Sequence, residues 1–436
     1  MTRITEVIAR QVLDCKARPM VEVDLVTASG HLGRGAAPTG SSVGAHEAVV
    51  LRDGDPGDYR GLSVHTAVRN VLDEIVPAII GRDIVDQEGF DRILIDLDGT
   101  SDKSRLGANA VYSASVAFLR AQAHEAGQPV YRHIAREPLR SIPVPAFNMI
   151  NGGRAGDVVQ PFNEFLAVPV GARDIDEAVQ MGVTLFAVLG EVLTRFAARP
   201  PSVGGSYGYL APSCDPGVVL ALMEDAVVEA GYAGRVAFAL DCASSEFYDR
   251  ERGTYRYADA EVTGAELIER VRCLSLNHDL LFVEDLLDED DWAGFTLAKQ
   301  VLDRTLILGD DLIVTNRDRL ERAIAEAAVD GFVLKPNQVG TISEALDTHE
   351  LARRNGILST PSGRSGGVVD DIVMDLSVGL QAPFQKNGAP RSGERIEKLN
   401  FLIRAAQKIA GAELARLDDL ARFGPGPAAG SSPPDR

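Results

Sequence analysis

Four apolar runs, each closing on a charged residue, constrain this chain more than any other feature: Val236-Ala-Phe-Ala-Leu-Asp241, Leu280-Leu-Phe-Val-Glu284-Asp285, Leu306-Ile-Leu-Gly-Asp310-Asp311 and Val329-Asp-Gly-Phe-Val-Leu-Lys335. Runs this short and apolar read as buried strands, and helical spacing such as that of 317–328 separates the later ones. Strand, helix and strand in succession predict a parallel barrel whose strand ends open onto one mouth. Taken alone, Lys335 is better explained as an ammonium reaching solvent from a strand end. Three acids delivered to the same mouth alter that reading. Crowded carboxylates repel one another and resist ionisation unless a divalent cation neutralises them. An all-oxygen donor set suits Mg2+ better than zinc.

At 436 residues the chain can hold two domains with cores of their own. A hydrophobic share of 45% is that of an ordinary globular protein, so disorder is not its default state. The net charge of −19 opposes any broad surface for a phosphate backbone, which excludes nucleic acid as an expected partner. Cys15, Cys214, Cys242 and Cys273 lack CxxC spacing, which points to reduced thiols in a cytoplasm rather than to a zinc site or a disulfide framework. The start Met1-Thr-Arg-Ile-Thr-Glu6 carries charge and no long apolar core, and no uninterrupted apolar run reaches bilayer length. A cytoplasmic protein without a membrane partner is expected.

In chain order, Ile4-Thr-Glu-Val-Ile8 and Val21-Glu-Val-Asp-Leu-Val26 alternate apolar and polar residues and predict two half-buried strands joined by a turn. Residues 30–44, rich in Gly, Ser, Thr and Pro, have the composition of either a functional lid or a disordered segment. Helical spacing over 65–80 and 104–127, added to the strands, predicts a small α+β domain at 1–135. Pro138, Pro143 and Pro145 place a linker at 136–145, with the barrel expected over 146–422. Inside it, 162–168 reads as a strand carrying Glu164, 174–198 as a long amphipathic helix, 200–216 as loop, and 218–230 and 391–416 as helices. The Gly- and Pro-rich 423–436 cannot bury enough to order itself.

The residues around the strand ends, Leu240-Asp241-Cys-Ala-Ser-Ser-Glu-Phe-Tyr248, Val283-Glu284-Asp285, Gly309-Asp310-Asp-Leu-Ile-Val-Thr-Asn316 and Leu334-Lys335-Pro-Asn-Gln-Val-Gly-Thr341, resemble the core motifs of enolases. The resemblance extends to Ala9-Arg-Gln-Val-Leu-Asp14, Leu51-Arg-Asp-Gly-Asp55, Leu97-Asp-Gly-Thr100 with Lys103-Ser104, Leu106-Gly-Ala-Asn-Ala110 and Asn148-Met-Ile-Asn-Gly-Gly153. Many motifs in one order, over nearly the whole chain, make it specific. It implies an α/β fold, a TIM-like (β/α)8 barrel of enolase type with an N-terminal α+β capping domain.

The resemblance also implies roles. Asp241, Glu284 and Asp310 would hold a first Mg2+, and Ser42, in Pro38-Thr-Gly-Ser-Ser42-Val-Gly44, would join a second. Lys335 would be the base, and Lys386, in Phe384-Gln-Lys386-Asn-Gly-Ala-Pro390, would bind the substrate carboxylate. Glu164 would stand near the departing hydroxyl. Enolase-type sites in general pair such a base with Mg2+ to stabilise an enediolate. The physical need is plain: removing a proton alpha to a carboxylate adds a second negative charge, which only metal and cationic groups offset. Enolases are typically dimers or octamers of dimers, so a homodimer or higher homo-oligomer is implied.

Three segments depart from the enolase pattern. Where enolases carry Gly-Asp-Glu-Gly-Gly, whose glutamate assists loss of the hydroxyl, this chain has Val203-Gly-Gly-Ser-Tyr-Gly-Tyr-Leu-Ala-Pro212 and no carboxylate over 202–213. Their Ser-His-Arg-Ser-Gly-Glu, whose arginine binds phosphate, is here Ser359-Thr-Pro-Ser362-Gly-Arg364. Their histidine after Asn151-Gly-Gly153 gives way to Arg154-Ala-Gly. With metal, base and carboxylate ligands kept, Arg154, Ser362 and Arg364 become candidates for a remodelled anion pocket, the alternative being ordinary surface arginines. The pattern is similar to that of enolase-like carboxyphosphonoenolpyruvate synthases of phosphonate antibiotic pathways. The expected substrate is then a 2-phosphoglycerate-like phospho or phosphono carboxylate. One alternative is phosphopyruvate hydratase acting on 2-phosphoglycerate in glycolysis. Another is a noncatalytic enolase-fold binding protein, against which stands the cost of burying Asp241, Glu284, Asp310, Lys335 and Lys386 for no ligand.

Overall fold

The computed structural model describes residues 1–40, 43–153 and 159–420, so Ser42, Arg154 and the 423–436 tail lie outside the described residues. Two compact units cut across the linear order. The first comprises Met1–Leu139, Ile313–Arg322 and Val333–Ala382; the second comprises Arg140–Leu312, Ala323–Phe332 and Pro383–Arg436.

In the first unit, Thr2–Leu13 pairs antiparallel with Pro19–Thr27, which pairs in turn with Leu32–Ala36, and Asp83–Ile84 takes the opposite edge. Leu32–Ala36 lies inside the stretch whose composition predicted only loop, and its glycines account for the difference. Gly33 and Gly35 share one face, where a Cβ would lie 1.9 Å from Ala117 O and 2.0 Å from Ser113 O of the helix Ala108–Glu125. That helix is rich in Ala and Ser and buried on nearly every side, so its backbone can lie directly on the sheet. Phe90 and Phe118 stack nearby with ring centroids 4.1 Å apart.

Two of the carboxyls buried within this unit hold their protons unusually tightly. Asp91 accepts hydrogen bonds from Gln87 Nε2 at 3.0 Å and Ser343 N at 2.8 Å, but burial outweighs these bonds and lifts its pKa to about 6. Asp375 accepts from Tyr131 N at 2.9 Å, and burial lifts its pKa to about 7 against the pull of Arg120.

In the second unit the strands lie in the order Leu306–Gly309, Leu280–Glu284, Ala237–Asp241, Gln160–Val168, Val144–Gly153 and Phe384–Lys386, with Gly331 and Phe332 beside the first. Leu280–Glu284 is parallel to both neighbours, and Phe384–Lys386 is parallel to Val144–Gly153. Gln160–Val168, however, is antiparallel to both of its neighbours, against the uniformly parallel expectation. The reason is the connection over 154–159, which is shorter than the roughly dozen residues a parallel crossover needs.

Residues two apart on a strand share a face. Phe162, Ala239, Phe282, Leu308 and Phe384, all fully buried, stand two residues before Glu164, Asp241, Glu284, Asp310 and Lys386. Phe282 and Phe384 stack at 5.3 Å, so an apolar layer underlies the charged one. Outside the sheet, the 23-residue helix Ile175–Ala197 has the length and apolar content of a membrane span. Its buried residues, among them Ala178, Met181, Leu185 and Leu189, nevertheless recur on a single face, as in a core helix. Gly182 admits Phe147, since a Cβ there would lie 2.3 Å from the ring. The last helix ends at Lys408, short of the predicted 416, because Gly411 turns the chain at φ 73° into the short strand Glu413–Leu414.

Gly35→Ala should therefore cost about 1–3 kcal/mol, the usual range for overpacking, read as a lower urea midpoint. The raised carboxyls set a pH dependence. Asp91 and Asp375 keep their protons in the folded chain after the unfolded chain has lost its own near 3.8, so their contribution is fully present below pH 4 and is lost as pH rises towards 7. Asp375→Asn should flatten that decline in urea melts taken between pH 4 and 7.

Candidate active site

Lys386 ends its strand inside the second unit, where Nζ donates to Glu284 Oε2 at 2.5 Å and to Asp241 Oδ2 at 3.0 Å. Strand register sets Glu284 opposite Asp241 and Asp241 opposite Glu164, so the three acids stand abreast on adjacent strands. Burial works against a charged amine, yet Asp241, Glu284, Glu164 and Asp310 outweigh it and hold the Lys386 ammonium well above the ordinary lysine range. Asn148 Nδ2 donates to Glu164 Oε1 at 2.8 Å and fixes that carboxyl.

Asp310 also belongs to a second cluster. Asp285, Asp310 and Asp311 offer oxygens all within 4.8 Å of one another. Asp285 adopts a left-handed backbone at φ 45° and accepts from Asp310 N at 2.9 Å and Asp311 N at 2.8 Å. Strain of this kind persists only where the surroundings enforce it. Burial, followed by repulsion from Asp311, Asp310 and Glu284, pushes the Asp285 carboxyl well above its usual range. Burial likewise raises the Cys242 thiol, and none of the four cysteines is joined in a disulfide. Lys386 bonds the oxygens of Asp241 and Glu284, whereas the carboxylates close enough to one another to share an ion are those of Asp285, Asp310 and Asp311; all these donors are oxygen, which fits a hard divalent cation such as Mg2+.

The segment without a carboxylate, 202–213, lies on the same wall. Tyr209–Leu210 pairs with Ile150 and Asn151, and a Cβ on Gly208 would lie 3.0 Å from Asn148 Oδ1 and 2.9 Å from Asn151 Oδ1. The Arg395 guanidinium covers the Tyr207 ring at 4.7 Å.

Lys335, Ser362 and Arg364 belong to the first unit. Lys335 caps the short helix Pro336–Val339, and its N donates to Thr315 Oγ1 at 2.8 Å. Buried Ser362 donates its N to Leu334 O at 3.1 Å. Arg364 and Glu47, both buried, meet through Nη1–Oε2 at 2.9 Å and Nη2–Oε1 at 3.2 Å. The structure thus gathers Asp241, Glu284, Asp310, Glu164 and Lys386 in one unit. Asp285, Asp311, Asn148 and Glu47 carry no role in the expectations drawn from sequence, although the first three stand inside quoted motifs. The acidic doublets Glu284-Asp285 and Asp310-Asp311 are the signal for the first two, the motif Asn148–Gly153 contains the third, and nothing local singles out Glu47.

Residues 4–134 match the family model of the enolase N-terminal domain, and residues 139–416 match that of the enolase C-terminal TIM barrel domain. Over 429 residues the chain is 41% identical to an enolase of Methanopyrus kandleri, spanning 98% of each protein. The chain belongs to the enolase family. It therefore has an enolase N-terminal domain followed by a TIM barrel, and its family is one of enzymes, lyases acting on a small molecule.

The same similarity overturns the expectation of a phosphonate-directed synthase. Identity to an enolase runs the length of the chain, whereas the departures occupy three short segments. Altered loops remove side chains but carry no positive mark of another substrate. Arg364, on which a remodelled anion pocket would partly rest, has its guanidinium engaged with Glu47.

In this protein the ammonium of Lys386 offsets the cost of burying Asp241 and Glu284 side by side. Lys386→Met should lose about 3–5 kcal/mol in urea melts run with EDTA, the range for breaking a buried pair. Adding Glu284→Gln to that variant should recover part of the loss.

Proposed function

We propose that this chain is a phosphopyruvate hydratase, converting 2-phosphoglycerate to phosphoenolpyruvate and water. The observation that carries this reading is the 41% identity to an enolase across 98% of both proteins. The buried meeting of Lys386 with Asp241 and Glu284 supports it. Asp241, Glu284 and Asp310 would hold Mg2+, with Ser42 assigned to a second ion. Bound there, the metal supplies positive charge as the substrate carboxylate gains its second negative charge.

Lys335 takes the proton from the carbon alpha to the carboxylate, and Lys386 offers its ammonium to that carboxylate. Arg154 and Ser362 are assigned to the phosphate. With no carboxylate over 202–213, Glu164, oriented by Asn148, is the acid assigned to the departing hydroxyl. Its proton leaves with that hydroxyl as water, the C–O bond breaks, and the enolate electron pair becomes the carbon–carbon double bond. By the same resemblance the protein works in the cytoplasm as a homodimer or a higher oligomer of dimers.

The test is phosphoenolpyruvate formation from 2-phosphoglycerate with Mg2+. The purified chain should turn over, and Lys335→Ala should lose about 10²–10⁴ in rate, the usual contribution of a positioned base. In deuterated water, Glu164→Gln should still exchange the alpha proton while forming little product, because the base acts before the acid. A wild-type protein that leaves 2-phosphoglycerate untouched would refute the reading.

A further inference from the structure

Both ends of the segment from Thr39 to Glu47 are fastened by one short stretch of chain in the first unit. At one end Thr39 N donates to Gly366 O at 3.0 Å and Gly366 N to Thr39 O at 2.9 Å. Arg18 adds bonds to Thr39 O and Gly40 O, each at 3.1 Å, while Asp14 accepts from Thr39 Oγ1 and, at 3.0 Å, from Arg18 Nε. A Cβ at Gly366 would lie 2.1 Å from Arg18 Nη2 and 2.2 Å from Thr39 Oγ1, so these bonded side chains would have to shift to admit one. At the other end, two residues earlier in the fastening stretch, Arg364 grips Glu47 with both terminal nitrogens.

Glu47 does not stop at that pair. Its Oε1 also accepts from Gly44 N at 3.2 Å and from Gln338 Nε2 at 3.4 Å, and Ala48 N donates to Gln338 O at 2.7 Å. On its other side the Gln338 amide oxygen accepts from Thr315 Oγ1 at 3.0 Å, the same hydroxyl oxygen that accepts from Lys335 N. Thr315 and Gln338 are essentially inaccessible to water, so this run of bonds has no solvent to replace a missing partner.

We propose that Arg364 is a positioning residue: through Glu47, Gln338 and Thr315 it fixes the turn that carries Lys335, and with Gly366 it holds both ends of the Thr39-to-Glu47 segment. A guanidinium already neutralised by a buried carboxylate offers no net charge to a substrate anion, and drawing it away would strand Glu47. The inference rests on Lys335 being the base of the proposed reaction.

The experiment uses the full chain carrying Arg364→Met, Glu47→Met, both together, and the exchange Glu47→Arg with Arg364→Glu. Arg364→Lys keeps the charge without the fork, in case the methionine variants fold poorly. The first readout, amide hydrogen exchange over 44–48 and 335–338, needs no turnover. Each single variant should lose protection there, the double variant should be no worse than either, and the charge exchange should restore part of it. The second readout is turnover of 2-phosphoglycerate. Displacing a reacting group slightly can cost about 10² in rate, so Arg364→Met should lower kcat about 10- to 100-fold and leave KM within about threefold. Unchanged protection, or an intact kcat with KM raised tenfold or more, would overturn the proposal and make Arg364 a substrate ligand. If the wild type proves inactive on 2-phosphoglycerate, the proposed reaction fails, and the exchange data still decide by themselves whether Arg364 fixes the turn.

Discussion

A single ammonium held against two carboxylates in a dry interior is the contact on which the second unit depends. Lys386, Asp241 and Glu284 come from strands far apart in the chain, and each offsets the cost of burying the others. The pair Asp241 and Glu284 would repel without Lys386, and without them burial of the Lys386 ammonium would have less to oppose it. Beneath this layer, Phe282 and Phe384 stack face to face, so the strands are held in register by apolar contact before charge enters the account. Asp285 extends the arrangement by bracing the backbone of Asp310 and Asp311 from an uncommon conformation.

The first unit holds Lys335 by other means. Lys335 is carried on a turn whose backbone is tied to Thr315, and from there to Gln338, Glu47 and Arg364. Hydrogen bonds replace the layered strand ends, and glycine supplies the clearances. Gly33 and Gly35 let a helix rest on a sheet, and Gly366 lets Thr39, Asp14 and Arg18 converge. At these positions a side chain would collide with backbone or with a fixed polar network.

The departures from the enolase pattern illustrate how weakly a missing side chain specifies a replacement. The carboxylate absent from 202–213 invites a reading of changed chemistry, yet that segment packs on Asn148 and Asn151, next to the Asn148 amide that holds Glu164. A carboxyl therefore remains on this wall, supplied by a different strand. Likewise an arginine at 364 looks like an anion ligand until its partner Glu47, more than three hundred residues earlier, is seen.

Much of the fold is legible in the residues themselves. Alternation gives Thr2–Leu13 and Pro19–Thr27, acid-tipped apolar runs give the parallel strands, and 3.6-residue spacing gives Ile175–Ala197. These follow from local periodicity, which a buried face imposes on any chain. The antiparallel course of Gln160–Val168 and the early end of the helix at Lys408 are set by connection length and by the φ of one glycine, which periodicity does not register. The sequence alone also determined which residue types crowd the strand ends, and hence that a hard cation suits them. Which of those charges meet was decided only by tertiary structure. Lys386 chose Asp241 and Glu284, Glu164 chose Asn148, and Arg364 chose Glu47, because partners in a low-dielectric interior are selected by strand register and exclusion of water, and neither is written in neighbouring residues.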